Sequence, residues 1–303
     1  MTRRLVTRRL SVAAIVLGFD RREKTRACVV SLLRCQSWQP RILVLDNGSI
    51  DGTGAAIAAE FPTVIVERSS VNLGAAAGRN RAVTAATARW APDLLLFVDD
   101  DAEVHPAAIA ALESPLRAPG HDRLGATAAK IRHPGEPPRI YVAGGSRIRF
   151  WSGDTSPRGH GELDVGQYDR SEPCVPGAGC TMVRRSAFEQ VGGFDPGFDP
   201  YGYEDLDLSL RLIDAGWRIL YVPQALAWHE RGNSLGNGRF TARYAEVKRR
   251  NWLRFLRRHG SIADRVAFWT VGAPLRLGRA VLREIGKGNL SAIRGLLGMR
   301  VRR

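Results

Sequence analysis

The chain has 303 residues, 44% of them hydrophobic, and a formal net charge of +15 at pH 7, long and apolar enough to bury a large core. Residues 239–303 carry 17 Lys and Arg against three acids, Glu246, Asp264 and Glu284, so the first 238 residues are close to neutral, which argues against a generally basic, nucleic-acid-coating protein. Four cysteines (Cys28, Cys35, Cys174, Cys180) form no CxxC pair, which favours small buried thiols in a reducing, cytosolic setting over a zinc or disulfide framework. No apolar run approaches the roughly 18 residues needed to cross a bilayer.

In chain order, Arg3, Arg4, Arg8 and Arg9 precede the apolar segment Ser11 to Gly18 in the manner of a leader peptide. No small-x-small cleavage site follows; Asp20-Arg21-Arg22-Glu23-Lys24 does, so 11–17 is predicted as a first strand. A helix is expected over roughly 23–36, where Val29, Leu32, Leu33 and Gln36 form one face. The second strand, 41–45, ends in Asp46-Asn47-Gly48-Ser49-Ile50-Asp51-Gly52-Thr53, a turn that also supplies cap residues for an alanine-rich helix. A short strand at 64–66 leads through Asn72 to Arg81 into a helix ending near Ala88, and a fourth strand covers 94–98. Strands alternating with helices predict an α/β fold with helices on both faces of a mainly parallel sheet. Ligands bind beyond the carboxyl ends of such strands, where Asp46 stands. The GxGxxG dinucleotide fingerprint is missing after the first strand.

The fourth strand runs into Asp99-Asp100-Asp101. Residues i and i+2 of an extended segment share a side, so Asp99 and Asp101 can direct two carboxylates at one Mg²⁺ or Mn²⁺. Three consecutive aspartates also allow Asp100 to pair with Asp101. Further on, Glu204 and Asp205 open an amphipathic segment in which Leu206, Leu210 and Ile213 recur at helical spacing, with Asp207 and Arg211 as an i,i+4 pair on its outer side. A helix N-terminus favours ionised carboxylates there, whether as general bases or only as helix-start acids. The basic segment beyond 238 interleaves its charges with Trp252, Phe255, Phe268, Trp269 and aliphatic residues. That pattern suits helices lying on an anionic membrane surface, or apolar residues packed on the rest of the chain.

The string Asp46-Asn47-Gly48-Ser49-x-Asp51-Gly52-Thr53, then Asn72-x-Gly74 with Gly78-x-Asn80, then Asp99-x-Asp101, resembles the family 2 inverting glycosyltransferases. Pro176-Gly177-Ala178-Gly179, Met182 to Arg185, Phe188 to Asp195, Tyr203 to Arg211, Gly216-Trp217 and His229 continue the resemblance over about residues 10–235. It is similar to the bacterial, rhamnosyltransferase-like enzymes of the cell envelope. The resemblance implies a GT-A fold, a Rossmann-like nucleotide-diphospho-sugar transferase architecture with a mixed, mainly parallel sheet. It further implies a catalytic domain at 1–238, followed by a basic amphipathic helical extension at 239–303.

By the same resemblance, Asp101 is a direct ligand of Mn²⁺ or Mg²⁺, Asp99 holds the donor ribose or a metal-bound water, and His229 is a second ligand suited to Mn²⁺. Leu17, Asp46, Asn72, Gly74, Arg79, Asn80, Asp99 and Asp100 are expected around a UDP- or dTDP-linked donor. Asp46 lies near the base, where Leu17-Gly18-Phe19-Asp20 departs from the usual residues and leaves base preference open. Asp205 is the expected base and Glu204 a binder of an acceptor hydroxyl. The expected reaction is transfer to a hydroxyl of a lipid-linked or cell-envelope glycan, at the inner face of the cytoplasmic membrane. Two other readings are a nucleotidyltransferase, for which a glycine-rich basic triphosphate loop is missing, and a nucleic-acid-binding protein using the tail.

Overall fold

The computed structural model of the chain describes residues 9–35, 40–177, 179–230 and 242–286. Arg3, Arg4, Arg8, Gln36, Ala178 and the basic residues at 231–241 and 287–303 therefore lie outside the described residues. Two compact units emerge: residues 1–147 with 157–251, and residues 148–156 with 252–303.

The first unit is built on a twisted sheet. Strands β1 (Val12–Gly18), β2 (Arg41–Asp46), β3 (Ile65–Arg68) and β4 (Leu94–Asp99) run parallel in the order β3-β2-β1-β4. Helices α1 (Arg22–Leu33), α2 (Thr53–Glu60) and α3 (Ala75–Trp90) connect them. The strands are nearly continuous apolar runs because both faces are covered. Val12, Ala14 and Val16 pack with Cys28, Val29 and Leu32 of α1, whereas Ala13 and Ile15 face a second core with Ala82, Val83 and Phe97. The four cysteines are free thiols, three of them buried.

Beyond β4 the sheet becomes mixed. A short β5 (Ala102–Val104) and helix α4 (Ala108–Arg117) precede β6 (Leu124–Arg132) and β7 (Ile140–Ala143). A hairpin of β8 (Ser146–Arg149) and β9 (Asp154–Pro157) follows, then β10 (Cys180–Arg184), α5 (Arg185–Gln190), α6 (Glu204–Asp214) and β11 (Arg218–His229). The sheet order continues β4-β10-β6-β11-β5, with β10 antiparallel to both neighbours and β6 parallel to β11. Two antiparallel steps restore direction, so β1, β2, β4, β6 and β11 all end at one edge.

Strand β11 passes through Pro223: a register shift between Val222 and Leu226 carries it on to His229, a bulge absorbing the residue that cannot donate to the ladder. One local expectation is corrected. On α6 the covered face is Leu206, Asp207, Leu208, Ser209 and Leu212, while Ile213 is exposed. The Asp207–Arg211 pair, at 2.7 Å, is thus buried rather than outward, and Arg211 also donates to the carbonyls of Val191 and Gly193.

In the second unit, the end of α7 (Ala242–His259), helix α8 (Ile262–Ala267), a π-helical turn at Phe268–Gly272 and α9 (Ala273–Gly286) follow one another. Trp252, Phe255 and Phe268 are buried and form a ring cluster with Phe150 of the hairpin tip. A Cβ on Gly272 would come within 1.9 Å of the Trp151 carbonyl oxygen, so that turn admits only glycine. Ile262, Val266, Trp269, Val271, Leu275, Leu277 and Trp151 remain exposed. No helix among the described residues is long and apolar enough to cross a membrane.

Candidate active site

The shared strand edge gathers the chemistry. Register places Gly18 beside Asp46 and Leu17 beside Asp99, while His229 closes β11 opposite Ala102 of β5. One carboxylate oxygen each from Asp99 and Asp101 and a ring nitrogen of His229 lie within 4.8 Å of one another. His229 Nε2 is 3.1 Å from Asp101 Oδ1 and 3.5 Å from Asp99 Oδ2. Its Nδ1 meets the Glu230 carbonyl at 2.6 Å. As a donor to that carbonyl, Nδ1 leaves Nε2 as the atom facing the carboxylates. The Tyr141 ring stacks on the imidazole at 4.6 Å.

Asp100 does not join this group. Its carboxylate takes an Arg21 Nη1 hydrogen bond at 3.2 Å, and the same nitrogen donates to Asp101 Oδ2 at 2.7 Å. The geometry therefore groups Asp99 with Asp101, as alternation along the strand predicts. Burial pushes Asp100 up to about 7 despite Arg21. Asp99 behaves oppositely: burial opposes its charge, but His229 and Arg79 outweigh it and hold the carboxyl at about 2. For His229, burial disfavours the cation, yet Asp101 and Asp99 more than compensate and raise it to about 10. An imidazolium thus balances two carboxylates where a divalent cation would otherwise do so. Two carboxylate oxygens at the end of β4 and an imidazole nitrogen at the end of β11 fit Mn²⁺ or Mg²⁺.

Arg79, on the first turns of α3, links two functional elements: it donates to Asp99 at 2.8 Å and to Glu204 at 2.9 Å. Glu204 Oε2 is buried with no hydrogen-bond partner. Asp205, at the start of α6, lines a cavity together with Arg79, Asp99, Phe97, Gly177 and Phe194. A Cβ on Gly177 would stand 3.5 Å from Asp205 Oδ2, so the Pro176-Gly177 loop runs alongside that carboxylate. Tyr141 completes this region: its phenol is pushed up to about 12 by burial and by Asp99, Asp101 and Asp205.

Other residues expected around the donor organise backbone. Asp46 is buried; Oδ1 accepts the Ser49 amide at 2.8 Å and Oδ2 lies 3.5 Å from Arg68. Asn72 accepts the Gly74 amide at 2.8 Å, and Asn47 ties both residues together through its side-chain nitrogen. Gly74 has φ +89°, and a Cβ there would strike Asp199, whose carboxylate accepts the Ala76 and Ala77 amides and caps α3. Asn80 clamps the Phe194 backbone from both sides, at 2.8 and 3.0 Å. Arg21, Tyr141 and Asp199 were not singled out from sequence, and Asn47 entered only within the Asp46 to Thr53 string. For Arg21 the sequence shows a basic residue in the loop after the first strand but not its carboxylate partners, 79 and 80 residues away.

A metal-fitting triad and an acidic helix start at the carboxyl edge of this sheet define a nucleotide-diphospho-sugar transferase layout. Comparison agrees: residues 9–254 match the description "Glycosyltransferase like family 2", and the chain belongs to that family. It is 32% identical over 253 residues, 78% of each chain, to the N-acetylglucosaminyl-diphospho-decaprenol L-rhamnosyltransferase of Mycobacterium tuberculosis. In that organism a pre-mycofactocin glycosyltransferase is 40% identical over 83 residues, 25% of this chain and 17% of the relative. The fold is similar to GalNAc-T7 solved with UDP, GalNAc and Mn²⁺ (TM-score 0.59, 18% identity, 73% of this chain), of which the chain spans 44%. It is also similar to the Pyrobaculum calidifontis mannosyltransferase PcManGT solved with GDP-Man and Mn²⁺ (TM-score 0.53, 14% identity, 97% of this chain and 86% of the other). The protein is a glycosyltransferase with the GT-A fold.

Proposed function

We propose that the protein transfers a sugar, with inversion, from a nucleoside-diphosphate donor to a hydroxyl of a lipid-linked envelope glycan. The observation that carries this reading is the convergence of Asp99, Asp101 and His229 within 4.8 Å, beside a cavity that Asp205 also lines. Asp99, Asp101 and His229 would hold Mn²⁺ or Mg²⁺, which when bound offsets the charge that builds on the departing diphosphate.

The remaining chemistry belongs to the side chains. Asp205 accepts the proton of the acceptor hydroxyl as that oxygen bonds to the anomeric carbon. The bond from this carbon to the diphosphate oxygen breaks on the opposite face, its electron pair leaves with the nucleoside diphosphate, and configuration inverts. Glu204 Oε2, buried and unpartnered, is available to an acceptor hydroxyl, while Arg79 fixes the other Glu204 oxygen. Asp46 and the backbone at Leu17 border the base, and the loop from Asn72 to Asn80 forms the donor side of the cleft.

The rhamnosyltransferase relative supports a donor with a deoxysugar and an acceptor with a polyprenyl diphosphate. A membrane-bound acceptor gives the second unit a purpose: exposed Ile262, Val266 and Trp269 beside Arg265 suit an anionic leaflet. The catalytic residues lie within the proposed domain 1–238, and residues 239–303 would provide attachment at the inner face of the membrane.

A panel of UDP-, dTDP- and GDP-sugars, assayed for nucleoside diphosphate release with polyprenyl-diphosphate-linked N-acetylglucosamine, tests this reading. One donor should turn over only with divalent cation and acceptor present, and proton NMR should show an inverted anomeric centre. A retained configuration, or triphosphate cleavage in its place, would overturn it.

A further inference from the structure

The two carboxylates that face His229 are restrained in the same way. Asp99 directs Oδ2 at the imidazole while Arg79 takes Oδ1 at 2.8 Å. Asp101 directs Oδ1 at the imidazole while Arg21 takes Oδ2 at 2.7 Å. Each aspartate therefore offers one oxygen to a cation and has the other occupied by a guanidinium.

Divalent cations differ in what they ask of such a site. Ca²⁺ takes six to eight oxygens in flexible geometry, its carboxylates mono- or bidentate, whereas Mg²⁺ is satisfied by six ligands at shorter distance. Mn²⁺ accepts similar octahedral sets and tolerates imidazole. A carboxylate limited to one oxygen suits the smaller ions and contributes one oxygen fewer to the larger shell of Ca²⁺.

We propose that Arg21 is a metal-selectivity residue, holding Asp101 to one-oxygen ligation so that the site takes Mn²⁺ or Mg²⁺ and discriminates against Ca²⁺. This rests on the reading of Asp99, Asp101 and His229 as the cation site. Arg21 is the removable member of the pair. It sits in the short loop between β1 and α1 with a side chain 21% exposed, and its second partner is Asp100 at 3.2 Å, outside the proposed ligand set, whereas the 13% exposed Arg79 bridges to Glu204. Its carbonyl, which accepts the Thr25 amide at 2.9 Å at the start of α1, survives any side-chain replacement.

Removing a positive charge beside the site strengthens binding of every divalent cation by a similar factor, so affinity alone is uninformative. The ratio between cations reports geometry. Mn²⁺ binding to the full chain is measured by electron paramagnetic resonance of the free ion, and Ca²⁺ is then titrated as competitor. Arg21→Ala should shift the Mn²⁺/Ca²⁺ preference toward Ca²⁺ by on the order of tenfold. Arg21→Lys, which retains a donor, should fall between Arg21→Ala and the native chain, and thermal melting confirms that each variant is folded. An unchanged ratio in folded Arg21→Ala, whatever the absolute affinities, would overturn the inference while leaving the cation site intact. A folded native chain that binds no Mn²⁺ would overturn the site reading and the inference together.

Discussion

In the proposed mechanism Asp205 removes the acceptor proton, a task that depends on basicity rather than shape. Asp205→Asn keeps the shape, so turnover should fall at least ~10²-fold while nucleotide affinity stays within about twofold. Initial rates and equilibrium binding of the nucleoside diphosphate measure the two, and native turnover in the variant would assign the base elsewhere. Asp99, Asp101, Glu204 and Asp205 could be found from sequence because their spacing follows the local period, two along a strand and the first turn along a helix. Arg21 could not, because its partners stand 79 and 80 residues away. Nor could the scaffolding use of Asn80, whose amide meets the backbone 114 residues further on; Asn and Gly near a ligand cleft read alike whether they touch the ligand or shape the loop.

At the level of elements, alternation of apolar strand and helix revealed the parallel half of the sheet nearly residue by residue. The mixed half was less legible, since β5, β7 and β10 are short and take their direction from distant partners. The amphipathic pattern of α6 was misread for a physical reason: Asp207 and Arg211 look solvated but neutralise one another in the interior. A second buried cluster stabilises the end of β6. Lys130, almost fully buried, lies 3.0 Å from the inaccessible Asp164 carboxylate and also pairs with Asp169, and Arg132 Nε reaches Asp164 at 2.6 Å. Burial opposes ionisation of Asp164, but Lys130 and Arg132 prevail and hold it below the usual carboxylate value. The pair's stabilisation is therefore complete above the unfolded value of about 3.9 and fades as pH falls through the lower folded one. Asp164→Ala should cost about 1–3 kcal/mol at neutral pH by leaving buried Lys130 with Asp169 alone, and the double variant Lys130→Met/Asp164→Leu should regain part of it. Chemical denaturation measures both, and a single-variant loss under about 1 kcal/mol would mean that the pair is solvated.

For the whole molecule, composition located the charge and the interleaved aromatics but not their division of labour. Trp252, Phe255 and Phe268 build the second unit's own core, while Trp269 and Ile262 are 59% and 76% exposed. One helical spacing serves both purposes, and only the packing of Phe150 against Trp252 and Phe255 separates them. The exposed set should bring the protein to vesicles containing phosphatidylserine and release it as salt rises, with each basic residue near the surface contributing on the order of 1 kcal/mol before screening. Trp269→Ser should weaken that partitioning on the order of tenfold. Flotation at low salt reads this directly, and a protein that ignores anionic vesicles yet binds RNA tightly would reverse the assignment of the tail.

Metal dependence at the end of β4 joins residue, element and molecule, and one assay addresses it: nucleoside diphosphate release from the active donor by the native chain and by Asp101→Ala, each in chelator and after Mn²⁺ or Mg²⁺ is restored. Native turnover should stop in chelator and return with the cation, whereas Asp101→Ala should remain inactive in both conditions despite an unchanged melting temperature. Full turnover by the native chain in chelator, or by Asp101→Ala at any cation concentration, would contradict the assignment of Asp99, Asp101 and His229.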